Sequence, residues 1–433
     1  MKNKNLFIKS TIILILGGII TKILGFIIRI IYTRIVGPEV IGLYSLVTPT
    51  YSLLITIATL ALPTTISKLV AENKHNNLKI ISTSTILIMI INFFVVIFML
   101  FSAKFISNNL LHEERCYLLI ISMALTFPII SISSIIKGYF YGKQNMIPNV
   151  VSNIIEQLIR GLLIYLFVPV IMEKSEILAA CSLFLFSFIE ELISIIVNLF
   201  FLPKKIKINK QHLIPSKYTL KNILNISIPT VSSRIIGNIG YFFEPIILKN
   251  LLLFSGYSNN YILIEYGAYN AYTLTILTVP SFFITAISSS LIPEISKHYL
   301  NNKYNLVKKR LKEAIFFALL IGITYSVLLM FFGGNILDAI YNTNLGLNYI
   351  KVLAPIFPLF YIEAILISFL QALDKAHITM RITIIGVIIK LIVLAGTSLM
   401  HIGMYSLVIS EIINILLVVF LNIYYVRYFI KKL

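Results

Sequence analysis

The feature that most constrains this chain is a succession of twelve apolar stretches, near residues 6–35, 41–67, 80–103, 116–136, 147–171, 177–202, 222–248, 262–293, 313–333, 349–371, 382–400 and 404–426, joined by short polar connections. Each is long enough to cross a bilayer as a helix. With 58% hydrophobic residues, 12% charged residues and a mean hydropathy of +0.93, a soluble chain is excluded. The expected fold is all-α, a polytopic membrane protein of about twelve transmembrane helices. The first stretch is too long for a signal-peptide core and no small-residue cleavage site follows it, so it is expected to stay as a membrane helix.

Charge gives the orientation. The net charge of +19 does not indicate nucleic acid, because the basic residues are scattered through short loops instead of gathered in one patch. Loops on the side of the N-terminus, together with both tails, hold 25 Lys and Arg, against 6 on the opposite side. Cytoplasmic loops are enriched in these residues, so both termini are expected in the cytoplasm and the chain in the cell membrane. Cys116 and Cys181, the two cysteines, offer neither a disulfide framework nor a metal site.

The longest polar connection divides the chain into an N-terminal six-helix lobe (1–202), a cytoplasmic linker (203–221) and a C-terminal six-helix lobe (222–433). An internal repeat supports the cut: ISKLVAENKHN at 66–76 matches ISKHYLNNKYN at 295–305 in six positions, each copy near the end of the second span of its half. An even number of spans per half makes the repeats parallel, with substrate expected where such halves meet.

Apart from Lys9, Arg34 and Lys351, which stand near span ends and are counted above with the adjoining tail and outer loops, five cations fall inside apolar stretches: Lys22, Arg29, Arg160, Arg234 and Lys390. Charge in a membrane helix is costly and marks a functional position by default. Lys22 and Arg29 stand seven residues apart, close to two helical turns, which puts them on one face roughly 10 Å apart along the axis. With Arg234 in the equivalent span of the second half they form a candidate cationic cavity for a group with two or more negative charges, such as a pyrophosphate. Arg234 has a structural alternative as partner of Glu363 or Glu411. Glu156 and Arg160 are spaced to pair at i,i+4, as a structural bridge or as a gating or ion-coupling element. Glu244 has no local partner in the sequence and is a candidate protonatable group or sodium ligand. Glu190 and Glu191 are adjacent and point to different helix faces, so one is expected to meet a cation. No catalytic or cofactor signature occurs, so no enzyme and no cofactor are expected beyond a coupling ion, H+ or Na+.

The segments TKILGFIIRIIYTRIVGPEVIGLYSLVTPTYSLL (21–54), LPTTISKLVAE (62–72) and GYFYGKQNMIPNVVSNIIEQLIRGLL (138–163) resemble the polysaccharide-transporter branch of the multidrug/oligosaccharidyl-lipid/polysaccharide (MOP) flippase superfamily, and within it the stage V sporulation protein B group. The resemblance implies a two-lobed bundle that moves undecaprenyl-pyrophosphate-linked sugars across the membrane by alternating access. It also implies a cationic central cavity in which Lys22, before Leu24, Gly25 and Phe26, takes the place of an arginine of related lipid II flippases. The arginine pair those flippases carry in span two falls at Leu53 and Leu54, so that anion cage is incomplete here. The substrate expected is a lipid-linked anionic glycan, for peptidoglycan, spore cortex or surface polysaccharide; membrane lipids are the surroundings, envelope-synthesis enzymes are candidate partners, and a monomer is expected. The alternatives are a cation-coupled multidrug exporter of the same superfamily, which would need cavity carboxylates, and an envelope-glycan polymerase or scaffold, which would need a large outer loop.

Overall fold

A computed structural model describes residues 2–72, 76–202 and 215–432, and no strand occurs among them. The chain separates into two compact units, 1–242 and 243–433. The first holds α1 (Lys2–Thr59), α2 (Leu62–Glu72), α3 (Asn77–Phe105, continued by a π-helical turn Ile106–Leu110), α4 (Cys116–Ala124), α5 (Thr126–Gly142), α6 (Ile147–Lys174), α7 (Glu176–Phe200) and the first part of α8 (Lys217–Phe254). The second holds the rest of α8, then α9 (Asn259–Gly267), a π-helical segment Ala268–Thr273, α10 (Leu274–Leu277), α11 (Ser281–Leu300), α12 (Tyr304–Tyr341), α13 (Leu347–Leu353), α14 (Phe357–Ala372), α15 (Ala376–Ser398) and α16 (Tyr405–Lys432).

Among the described residues eight helical stretches are long and apolar enough to cross a membrane, or ten when two bent pairs each count as one span. The difference from twelve arises at two places. The first two expected spans form one stretch, Leu16–Glu72, and α8 is absent from the apolar set because Arg234, Asn238, Glu244 and Lys249 interrupt it. Gly37 divides α1 where the sequence places the end of span one: its φ of 73° and ψ of −179° are open only to a residue without Cβ. Pro38 then starts the second arm, where a missing N–H costs nothing. A bend of 56° separates α9–α10 from α11 beside Pro280, and a second of 57° separates α13 from α14 beside Pro355 and Pro358.

In hydrocarbon a carbonyl without a donor is expensive, so helix ends inside the bundle need side-chain partners. Near the end of α1 the Ala58 carbonyl receives Asn92 Nδ2 at 3.1 Å and Ser131 Oγ at 2.9 Å, tying α1 to α3 and α5. Tyr32, 1% exposed, donates to the Ala179 carbonyl at 2.9 Å and ties α1 to α7. Large apolar side chains such as Phe101 and Phe331 remain exposed, as the lipid-facing surface of a membrane bundle requires.

The unit boundary lies within α8, beyond the linker expected at 203–221, of which residues 203–214 lie outside those described. Local packing explains its place. Ile223 joins the core of Leu62, Ile66, Leu69, Val70 and Ile80, Ser227 Oγ meets Thr65 Oγ1 at 2.9 Å, and Asn238 Nδ2 donates to Thr56 Oγ1 at 2.8 Å and to the Ser52 carbonyl at 3.1 Å. The start of α8 is therefore part of the first unit's core.

Candidate functional site

Lys22 and Arg29 stand on the arm of α1 before Gly37, an uninterrupted helix, so their seven-residue spacing puts them near one face. α6 packs along α1 closely enough that a Cβ at Gly17 would fall 2.3 Å from Val150 Cγ1, and one at Gly161 3.2 Å from Ile28 Cγ1. Lys22 and Arg29 lie off this seam and are exposed. Arg234, on the part of α8 that belongs to the same unit, is also exposed, one turn before the Asn238 anchor.

The charges inside the bundle behave differently. Lys137 of α5 reaches Glu156 Oε1 of α6 at 2.8 Å and Glu191 Oε2 of α7 at 3.4 Å. Arg160, one turn beyond Glu156 on α6, gives its Nε to Glu190 Oε1 at 2.9 Å and Nη2 to Ser187 Oγ at 2.8 Å. The Glu156–Arg160 pair expected from i,i+4 spacing is thus replaced by two interhelical pairs. A helix of α6's length presents both side chains to neighbours on α5 and α7, where shorter contacts with better burial are available than along its own surface. Glu190 and Glu191 point to different faces as expected, and both meet a cation.

In the second unit Lys390 of α15 sits between Glu244 Oε2 of α8 at 2.6 Å and Glu411 Oε2 of α16 at 2.5 Å. Glu244, only 5% exposed, therefore has a partner, contrary to the expectation from its local sequence. That partner is far along the chain and invisible to a search by spacing. Glu411, one of the two acids considered for Arg234, is held by Lys390. Both triads contain two carboxylates for one ammonium, and each draws its three members from three helices.

A fourth cluster lies at the loop between α3 and α4. Arg115 places Nε 2.7 Å from Glu113 Oε1 and Nη1 2.6 Å from Glu39 Oε1, two residues after the Gly37 break. The Glu113 hydrogen bond, then Glu39, hold this guanidinium above its ordinary range against the opposing effect of partial burial. The sequence reading missed Lys137, which it assigned to a loop by ending span four at 136. For Lys137 the signal was available: Tyr139, Phe140 and Tyr141 continue the apolar stretch beyond it.

Residues 7–299 match the polysaccharide biosynthesis protein family. The chain belongs to that family. A second match, to the MatE family, covers residues 245–395. The chain is 35% identical over 399 residues to stage V sporulation protein B of Bacillus subtilis (strain 168), covering 89% of this chain and 77% of that protein. It is 24% identical over 425 residues to the lipid II flippase MurJ of the same organism, covering 89% and 76%. In fold it is similar to an inward-facing multidrug resistance MATE family transporter of the MOP superfamily, with a TM-score of 0.77 at 14% identity over 94% of both chains. This member of the family is thus a multi-span MOP superfamily transporter of two lobes. Lys22, Arg29, Arg234, Lys137 and the acids of both triads other than Glu411 fall inside one or other matched segment.

Proposed function

We propose that this protein is a flippase for undecaprenyl-pyrophosphate-linked sugars, lipid II or another lipid-linked oligosaccharide, which it moves across the cytoplasmic membrane by alternating access. The observation that carries this reading is the exposure of three cations, Lys22, Arg29 and Arg234, on helices of the first unit. Cations at membrane depth mark ligand pathways by default, and a pyrophosphate offers each guanidinium a bidentate match. Similarity to a lipid II flippase and to a sporulation protein supports a glycan of peptidoglycan or spore cortex.

The likeness to a multidrug transporter favours, as the second reading, a cation-coupled exporter of the same superfamily. Organic cations need carboxylates that face the cavity. Here Glu156, Glu190, Glu191, Glu244 and Glu411 are each within 3.4 Å of a lysine or arginine, which leaves Glu363 of α14, in no such pair among the described residues, as the carboxylate that reading would use. We place gating or coupling to H+ or Na+ at Glu156, Arg160 and Glu244, because each triad holds one carboxylate more than its ammonium balances. Both termini are cytoplasmic in this scheme.

The test is translocation of a fluorescent undecaprenyl-pyrophosphate sugar in proteoliposomes. Wild type is expected to move it, Lys22→Ala and Arg234→Ala to lose most of the rate with the fold intact, and Lys22→Arg to retain it. Exchange of organic cations for protons or sodium by a wild type that moves no lipid-linked sugar establishes the exporter instead.

A further inference from the structure

At the end of the second unit opposite the C-terminal tail, the turns that follow α8, α12 and α15 come together. Ser255 Oγ donates to the Ser398 carbonyl at 2.9 Å and Tyr257 Oη to the His401 carbonyl at 2.5 Å. Among α9, the α12–α13 turn with the start of α13, and the first residue of α16 opens a cavity of about 160 Å³ whose polar walls are Glu265, Asn344, Asn348, Tyr349 and Tyr405. An engineered cavity of about 150 Å³ holds benzene, so the space suits one six-membered ring.

The walls are prepared before any ligand arrives. Gly346, at φ 84°, could not carry a Cβ, which would fall 2.5 Å from Thr273 Oγ1, and that hydroxyl donates to the Gly346 carbonyl at 3.1 Å. Gly403, at φ 59°, is pressed on Tyr261 in the same way, with a Cβ position 2.6 Å from Oη. A π-helical turn, a feature frequent at functional sites, backs the cavity at Ala268–Thr273. Tyr349 and Tyr405 meet edge to face at 5.4 Å and 73°, forming an aromatic corner, and the Tyr349 hydroxyl donates to Glu265. The side-chain amides of Asn344 and Asn348 are exposed and make no hydrogen bond among the described residues.

We infer that this cavity is a binding site for a neutral sugar ring, the exit subsite for the glycan of the transported lipid. A sugar has an apolar face of C–H groups that packs on an aromatic ring, and a rim of hydroxyls that both donate and accept. Asn344 and Asn348 supply both roles, and Glu265 is an acceptor. No Lys, Arg or His lines the cavity, and the Glu265 charge opposes an anion, so the pyrophosphate does not bind here. A quaternary ammonium is matched less well: a cation cage surrounds its ligand with ring faces, whereas these rings meet edge to face and the free amides would have nothing to bond. The site lies at the outer end when the basic loops are cytoplasmic.

This assignment takes its direction from the flippase reading, but the binding is measured without transport. Full-length protein in nanodiscs is titrated with chitobiose, followed by saturation-transfer NMR, with inorganic pyrophosphate and tetraphenylphosphonium as comparison ligands. Chitobiose is expected to bind, with affinity reduced at least fivefold in Tyr405→Ala and in Asn348→Ala and retained in Tyr405→Phe, which keeps the ring and serves as the folding control. Absence of chitobiose binding, binding that neither alanine variant changes, or tetraphenylphosphonium binding lost in its place overturns the inference. Translocation of lipid-linked sugar by a wild type that does not bind chitobiose defeats this site and leaves the flippase reading standing. Chitobiose binding at Tyr405 and Asn348 without any translocation does the reverse.

Discussion

At the scale of single residues the buried charge clusters are the features that a substitution tests most directly. Lys390→Met removes the ammonium that meets both Glu244 and Glu411 and leaves two largely enclosed carboxylates facing one another. Loss of one partner of a buried pair costs about 3–5 kcal/mol, so the unfolding midpoint in detergent is expected to fall by several degrees. Adding Glu244→Gln to that variant is expected to restore part of the loss. A midpoint unchanged by Lys390→Met refutes the triad as a stabilising unit. These positions were legible in the sequence as intramembrane charges, since Lys22, Arg29, Arg160, Arg234 and Lys390 all stand out against apolar neighbours. Their partners were not. Spacing rules see only one helix, so they joined Glu156 to Arg160 and left Glu244 alone, whereas burial rewards contacts made across helices whose relative rotation no local pattern encodes.

At the scale of elements, the ends and breaks of helices carry the interest. Asn92 and Ser131 complete the Ala58 carbonyl, and Asn92→Ala is expected to lower stability by about 1 kcal/mol, the scale of a hydrogen bond between membrane helices. A thermal-shift series with Ser131→Ala should show the two losses to be less than additive, because they share one acceptor. Gly37→Ala is a separate case. A Cβ there meets nothing within 4 Å, so its cost is backbone strain alone, of the order of 1–3 kcal/mol. Long apolar stretches and their order were read correctly from composition. The division of α1 was not placed at a single residue by that reading, because hydropathy has a resolution of several residues and a left-handed glycine is one. Similarly α8 reads as a span by position in the repeat, yet polar residues along it, among them the Asn238 that bonds into the first unit and the Glu244 that bonds into the second, make it poorly apolar.

For the whole molecule the sorting of charge predicts orientation. With Cys116 and Cys181, both buried, replaced by serine, a single cysteine at Asn260→Cys is expected to react with a membrane-impermeant maleimide in intact cells. One at Asn301→Cys is expected to react only after permeabilisation. The opposite pattern would invert the protein and move the sugar cavity to the cytoplasmic side. Two lobes were legible from the repeat, because a duplicated helical plan repeats its loops and prolines at matching positions. Of the interior, the intramembrane charges were legible as charges. The tyrosine and asparagine cavity was not, since its walls come from α9, the α12–α13 turn with the start of α13, and the start of α16, which are far apart along the chain.

The triad around Lys390 also dictates an order of events at the ribosome. Glu244 enters the membrane with α8 long before α15 delivers the ammonium that neutralises it; at roughly 5–20 residues per second the interval is on the order of ten seconds. Throughout that time the carboxylate must be shielded by a proton, by water at the insertion machinery or by a chaperone. The second unit is consequently an all-or-nothing product of biogenesis: a chain truncated before α15 presents an orphan acid in hydrocarbon, which is the kind of signal that membrane quality control degrades.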